Sequence, residues 1–134
     1  MRGPFSMRVR VRLPETDALG VVYYGQYFAY FDLSRLEMLR KMGITLKMLK
    51  ERKLGFVAGE AECRYVSSAR FDDVLTLKVG VARLGNSSVT YHHQVFRGKE
   101  EVAMGRVTDV LVGNKGKAAR IPDDFRKMLS EYSL

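Results

Sequence analysis

Residues 7–13, MRVRVRL, alternate without a break: Met7, Val9, Val11 and Leu13 fall on one face, and Arg8, Arg10 and Arg12 on the other. A period of two is that of a strand with one buried side. Residues 14–20, PETDALG, end it, and the period then changes. Over Gly25 to Met42, at about 100° per residue, Tyr27, Phe28, Phe31, Met38, Leu39 and Met42 make one broad apolar stripe. Ala29, Leu33 and Leu36 make a second, narrower one, and Gln26, Ser34, Glu37, Arg40 and Lys41 gather between them. This pattern predicts the one long helix of the chain, terminated by Gly43. A helix apolar over so much of its circumference must be largely wrapped by other structure. Arg35 falls inside the main stripe. A guanidinium there needs a carboxylate or several carbonyls, because an unpaired buried charge is prohibitive; the alternative is that it reaches outward along its aliphatic stem.

Residues 44–53 read as a second, short helix with Leu46, Met48 and Leu49 apolar. From Phe56 to Ser67 the chain reads as extended but does not alternate cleanly: Glu60, Glu62 and Arg64 form a polar row against Val57, Ala61, Cys63 and Tyr65. Residues 67–73 are a turn. Leu75, Leu77, Val79 and Val81 then alternate with Thr76, Lys78 and Gly80. Gly85-Asn86 turns into Ser88 to Arg97, where Val89, Tyr91, His93 and Val95 share a face, and Arg97-Gly98-Lys99 turns into Val102 to Gly113. After a turn at Asn114-Lys115-Gly116, Pro122 opens a last helix with Asp123 and Asp124 in its first turn and Phe125, Met128 and Leu129 on its inner face. A strand, a long helix, a short helix and four antiparallel strands make an α+β domain: one sheet covered by one helix.

The chain has 134 residues, the size of one domain, and 46% hydrophobic with 28% charged residues is the composition of an ordinary globular chain. No apolar run approaches the ~20 residues needed to span a bilayer. Residues 1–6, MRGPFS, have no hydrophobic segment behind their positive charge, so no secretory signal is expected. Residues 1–6 are expected to be an N-terminal extension, or a misassigned start ahead of Met7, and residues 7–134 the domain. Cys63 is alone, which excludes an intramolecular disulfide, and the cytoplasm is the expected compartment. The net charge of +8 suits phosphate-bearing partners. The densest cationic group (Lys41, Lys47, Lys50, Arg52, Lys53) has no aromatic side chains among it and reads as a solvated face. Nucleic acid and stable membrane association are therefore not expected, and coenzyme A is the sharper fit.

The chemistry centres on residues 13–42. Asp17 sits in a loop with Pro14, Thr16, Gly20 and Gly25, directly ahead of the long helix. The first N–H groups of a helix lack internal partners and carry partial positive charge. Such an end can hold a carbonyl oxygen as it becomes an oxyanion, while the carboxylate acts on water or on the carbonyl carbon. By spacing alone, an N-cap or loop-solvating acid remains open beside that reading. Other chemistries find less support. His92 and His93 are adjacent in a strand, point to opposite faces and cannot chelate one ion together, so no metal is expected. No G-x-S-x-G occurs, Cys63 has no positioned base, and no glycine-rich phosphate loop is present.

The run Asp17-Ala-Leu-Gly20-Val-Val22-Tyr23-Tyr24-Gly-Gln-Tyr27 resembles the signature of the 4-hydroxybenzoyl-CoA thioesterase family of hotdog-fold proteins, in its bacterial acyl-CoA thioesterase branch. The pattern is D-x-x-G-V-V-Y-x-x-x-Y, leading into the central helix. The similarity continues through Phe31-Asp32, Arg35 and Glu37, then residues 59–73, 82–88 and 120–126. Many members carry His where this chain has Tyr24, and Asn where it has Gln26. The resemblance implies a curved antiparallel sheet wrapped around one helix, a site between two subunits of a dimer or a dimer of dimers (a homotetramer), and hydrolysis of an acyl-CoA without a cofactor. By the same resemblance Asp17 is the general base or nucleophile, the backbone N–H of Tyr24 binds the thioester oxygen, and Gly20, Val22, Tyr23 and Tyr27 line the substrate. Ser87 and Ser88, with Arg83, are candidates for the nucleotide end of coenzyme A, as are Arg64 and Arg70. Glu37 lies too far along the helix to be the base that other hotdog branches carry there. Glu60 and Glu62 are expected to pair with Arg35 or Arg64. Two other classes stand as alternatives: a hotdog hydratase or dehydratase, which wants a His base although none lies in residues 1–91, and a non-catalytic acyl-CoA or nucleic-acid binding module.

Overall fold

The computed structural model describes residues 3–134; Met1 and Arg2 of the expected extension lie outside the described residues. In chain order the elements are β1 (Phe5–Arg10), α1 (Gln26–Lys41), α2 (Leu46–Glu51), β2 (Gly55–Tyr65), β3 (Val74–Leu84), β4 (Ser88–Arg97), β5 (Glu100–Val112) and α3 (Asp123–Ser130). The five strands form one antiparallel sheet in the order β1-β3-β4-β5-β2. The class is the α+β architecture that the pattern predicts. No helix among the described residues is long and apolar enough to cross a membrane.

The alternating segments fold as their period requires. Leu75, Leu77, Val79 and Val81 of β3, and Val89, Tyr91, His93 and Val95 of β4, are all buried against α1 and its neighbours. Strand β1 begins earlier than residue 7: Phe5 is in register with Val79 and its ring packs edge-on against Tyr132 at 6.5 Å. The first strand thus includes two residues of the stretch read as an extension. It also ends earlier, at Arg10, where Val11 turns aside to exchange backbone hydrogen bonds with Asp72 and Asp73.

The irregular alternation of β2 has a structural cause. A bulge between Ala58 and Glu60 shifts the register on β5 by one residue. Ala58 and Ala61 both lie opposite inward-facing residues (Asp109 and Val107), while Val57 falls opposite Val110, on the outer face with Glu60. Strand β2 is also an edge, with its second side unpaired among the described residues and Val57, Tyr65 and Val66 exposed beside it.

Helix α1 lies on the inner face with Tyr27, Phe31, Met38 and Leu39 buried, as its main stripe requires. Phe31 fits because Gly105 stands opposite it: a Cβ there would come within 2.5 Å of the Phe31 ring and of the Glu62 carbonyl. Two further residues turn inward. Tyr30 reaches a buried carboxylate described below. Ser34, placed with the polar residues by its period, is buried because its Oγ satisfies itself by donating to the Phe31 carbonyl at 3.1 Å. The narrow stripe differs from expectation. Leu33 and Leu36 are each 38% exposed and Ala29 is open, so in a single chain the helix is wrapped on one side only.

Arg35 is paired, as its position in the stripe demands, but not with Glu60 or Glu62. Its guanidinium bonds the buried Asp109 of β5 and, at 3.2 Å, Asp32 one turn back. Glu60 and Glu62 are on the outer face of the sheet, where the bulge directs them, and no ion pair among the described residues involves them or Arg64. Burial pushes the Asp109 carboxyl above its ordinary range, against the pull of Arg35.

His93 is 1% exposed and stacks on Phe31 at 4.5 Å. Burial, then the nearby Arg35 and His92, lower its pKa to about 3. An unfolded chain protonates this imidazole near pH 6.5, whereas the folded one stays neutral until about pH 3. Its contribution to stability is therefore complete above about 6.5 and is lost as pH falls through that window. The melting temperature is expected to fall more steeply between pH 6.5 and 4 in the parent than in His93→Leu; parallel profiles would refute the assignment.

Candidate active site

The loop from Arg12 to Gly25 is pinned at both ends. At its start, the Glu15 carboxylate accepts from the Arg12 N–H at 2.9 Å, from the Arg12 guanidinium at 3.2 Å and from the Tyr30 hydroxyl at 2.9 Å. Burial alone would raise the Glu15 carboxyl, but these hydrogen bonds outweigh it and hold it below its ordinary value; burial and the same bond raise the Tyr30 phenol. Glu15 thus fastens the loop to the second turn of α1. At the far end, the Val22 N–H donates to the Ala69 carbonyl at 2.8 Å and the Tyr23 N–H to the Glu15 carbonyl at 2.9 Å, while the Val22 side chain enters the core. The sequence reading did not include Glu15; the Arg12–Glu15 spacing, that of a capping box, is the signal that was available.

Between these anchors Asp17 opens a tight turn. The Gly20 N–H donates to the Asp17 carbonyl at 2.9 Å, and Gly20 takes φ +79°, a conformation that glycine adopts without strain. The role the structure gives Gly20 is to close this turn. The Asp17 side chain is exposed, and its Oδ1 accepts from the N–H groups of Leu19 at 2.9 Å and Val21 at 3.4 Å. Among the described residues nothing donates to Oδ2. One carboxylate oxygen is therefore oriented by the backbone and the other is left for solvent or ligand.

The start of α1 is equally open. Gly25 precedes the helix with no side-chain cap, and its first turn contains no acid. The Gln26 and Phe28 N–H groups find carbonyls at Tyr23 and Gly25, but the Tyr24 N–H has no acceptor among the described residues. Uncapped donors with the macrodipole behind them can stabilise a developing oxyanion. The Tyr23 ring lies across Gly25, where a Cβ would meet it at 2.5 Å, and stacks at a tilt on Tyr24 at 4.7 Å. Tyr24 itself is 66% exposed. Its carbonyl accepts from the Tyr65 hydroxyl at 3.0 Å, which ties the helix start to the C-terminal end of β2. Tyr27 is buried between Tyr30 and Tyr65, at 5.9 and 5.5 Å.

Asp17, Gly20, Val22, Tyr23, Tyr24 and Tyr27 therefore come together in one loop and helix start. Ser87 and Ser88 do not join them within one chain. Ser88 is in register with Val110, whereas Tyr65 is in register with Ala103, seven residues away along β5, or roughly 23 Å. Ser88 instead opens onto a polar hollow of the outer face with Arg83, Arg106 and Glu62. Burial raises the Cys63 thiol, which disfavours a nucleophilic thiolate.

One long helix held on an antiparallel sheet is the arrangement of a hotdog domain, and here an oriented carboxylate and the unused Tyr24 N–H stand together at the helix start. The chain belongs to the thioesterase-like superfamily, whose family model matches residues 11–129. It is 32% identical over 128 residues to a putative esterase of Aquifex aeolicus, covering 96% of this chain and 99% of that one. It is 33% identical over 94 residues to the acyl-CoA thioesterase YbgC of Haemophilus influenzae, covering 69% of each. The crystal structure of a probable thioesterase from Bartonella henselae superposes with a TM-score of 0.85 at 28% identity, over 90% of this chain and all (100%) of the other.

Proposed function

We propose that this chain hydrolyses an acyl-CoA thioester to the free acid and coenzyme A. The observation that carries the reading is the pairing, within one pinned loop, of an oriented carboxylate at Asp17 with an unused N–H at Tyr24 on an acid-free helix start. Asp17 either removes a proton from a water that adds to the thioester carbon, or adds to that carbon itself to give a mixed anhydride that water then opens. In both routes the carbonyl oxygen becomes an oxyanion, which the Tyr24 N–H and the helix dipole stabilise, and coenzyme A leaves as the thiol. Tyr23 and Tyr27 border the acyl group, with Gly20 and Val22 holding the loop they act from.

The working unit is at least a dimer, built by antiparallel pairing of two β2 edges, and a dimer of dimers is compatible with it. Such pairing brings the Ser87–Ser88 end of one sheet toward the helix start of the other, which supports a phosphate-binding role for Ser87, Ser88 and Arg83. The cytoplasm is the proposed compartment. Release of free thiol from a panel of acyl-CoAs tests the activity; no release from any of them would refute it. Sedimentation at micromolar concentration tests the assembly, with a dimer or larger expected and a stable monomer counting against a shared site.

A further inference from the structure

A mostly apolar concavity lies away from the helix start. It lies between α1, α2 and the first residues of β2, has a volume of about 470 Å³ and is lined by Leu36, Leu39, Ile44, Leu46, Leu54 and Phe56. A neighbouring hollow of about 400 Å³ shares Leu36, Ile44 and Leu46 with it. Both volumes are in the range of small-molecule sites, roughly 300–1,000 Å³. No carboxylate lines either hollow; Lys50 borders the larger one, and Arg40, Thr45 and Lys47 border the smaller. Arg35 stands at the edge of the larger one, with the two terminal nitrogens of its guanidinium held by Asp109 and Asp32. Leu46 is 74% exposed and borders both hollows, so their apolar lining continues to the surface.

Within one chain this groove is remote from the proposed chemistry, because Leu36 is twelve residues beyond Tyr24, roughly 18 Å along the helix. Across the free edge of β2 the relation changes. The Tyr65 hydroxyl fastens Tyr24 to the C-terminal end of β2, while Gly55 and Phe56, at its N-terminal end, line the groove. Antiparallel pairing of two β2 edges sets the Tyr65 end of one copy beside the Phe56 end of the other. We infer that the groove of each copy receives the acyl chain of a thioester held at the helix start of its partner, and that the substrates are medium- to long-chain aliphatic acyl-CoAs whose length Leu36 and Leu46 gauge. The inference rests on the thioesterase reading and adds to it the acyl class and the residues that select it.

The test compares thiol release from butyryl-, octanoyl-, dodecanoyl-, palmitoyl- and benzoyl-CoA by the parent and by Leu46→Trp, which fills the groove from an exposed position. The parent is expected to favour octanoyl- or dodecanoyl-CoA over butyryl- and benzoyl-CoA. In the variant the dodecanoyl-to-butyryl ratio of kcat/KM should fall at least tenfold. An unchanged ratio, or a parent that prefers benzoyl-CoA, overturns the inference while leaving the thioesterase reading intact. Mixing then tests the sharing between copies. In a mixed dimer of Asp17→Asn and Leu46→Trp, one site carries both defects and the other carries neither. Random exchange of equal amounts should restore dodecanoyl-CoA turnover to roughly a quarter of the parent's. No restoration, with mixed dimers confirmed by differently tagged subunits, would mean that each groove serves its own chain and would overturn the inference. If no acyl-CoA releases thiol, the thioesterase reading fails by itself, and saturable binding of a dodecyl thioether of coenzyme A decides the groove: binding lost in Leu46→Trp supports it, and absent or unaltered binding removes it.

Discussion

Asp17→Asn is expected to lower kcat by at least the roughly 10²–10⁴ of a lost general base. KM should change little if substrate equilibrates before chemistry. The geometry makes this substitution discriminating. Asp17 holds its turn through Oδ1, which accepts from the Leu19 and Val21 N–H groups, and an asparagine oxygen can accept both. The carbonyl of residue 17 also keeps its bond from Gly20, and the remaining loop anchors run through Glu15 and Val22. The fold should therefore survive, with a melting temperature within a few degrees of the parent. What asparagine lacks is the ability to take a proton from water or to act as a carboxylate nucleophile. A purely structural Asp17 gives another outcome: loss of a turn or cap costs about 0.5–2 kcal/mol, and turnover persists in the folded fraction. Melting temperature and thiol release measured on one preparation separate the two. Turnover within a few-fold of the parent would remove Asp17 from the mechanism.

The turn around Asp17 was legible in the sequence because its surroundings are local. The turn residue Gly20, the close-packed Gly25 and the helix that follows are contiguous, so a short motif carries nearly all of the geometry. The strands β3 and β4 were legible for a similar reason, since a period of two needs no partner to be recognised. Features that depend on distant residues were not. The acid that fastens α1 to the loop is Glu15, and its partner Tyr30 is a full helix turn past the motif. Tyr30 and Ser34 were missed as buried residues because period counts polarity but not the hydrogen bond that makes polarity tolerable inside. The bulge in β2 disguised which of its residues face inward, and with it the reach of Glu60 and Glu62. The apolar groove exists only because α1, α2 and β2 converge, and no single stretch of sequence encodes that meeting.

Arg35 shows the same division within one residue. Its place in an apolar stripe required a carboxylate, but the identity of that carboxylate, Asp109, is set by a β5 strand that begins 65 residues later. Arg35→Met keeps the apolar stem and much of the volume of the side chain but removes the guanidinium, and with it the charge and the hydrogen bonds to Asp109 and Asp32. It leaves Asp109, 3% exposed, without its cation; burial already raises this carboxyl in the parent. Breaking one side of a buried pair typically costs about 3–5 kcal/mol. For a domain of this size that corresponds to a fall in melting temperature of roughly 10 °C or more. The pH dependence has a definite sign. With Arg35 gone, the folded-state pKa of Asp109 rises further above its unfolded value, so the deficit is largest at neutral pH and shrinks as pH falls through that raised pKa and the acid is neutralised. Replacing both partners, Arg35→Met with Asp109→Leu, removes the stranded charge and should recover most of the loss, since an apolar pair of similar volume is often neutral or better. Thermal unfolding of the parent, the single variant and the double variant gives the coupling directly. A single-variant cost below about 0.5 kcal/mol, that of an ordinary surface site, would show that the pair does not support the helix on its sheet.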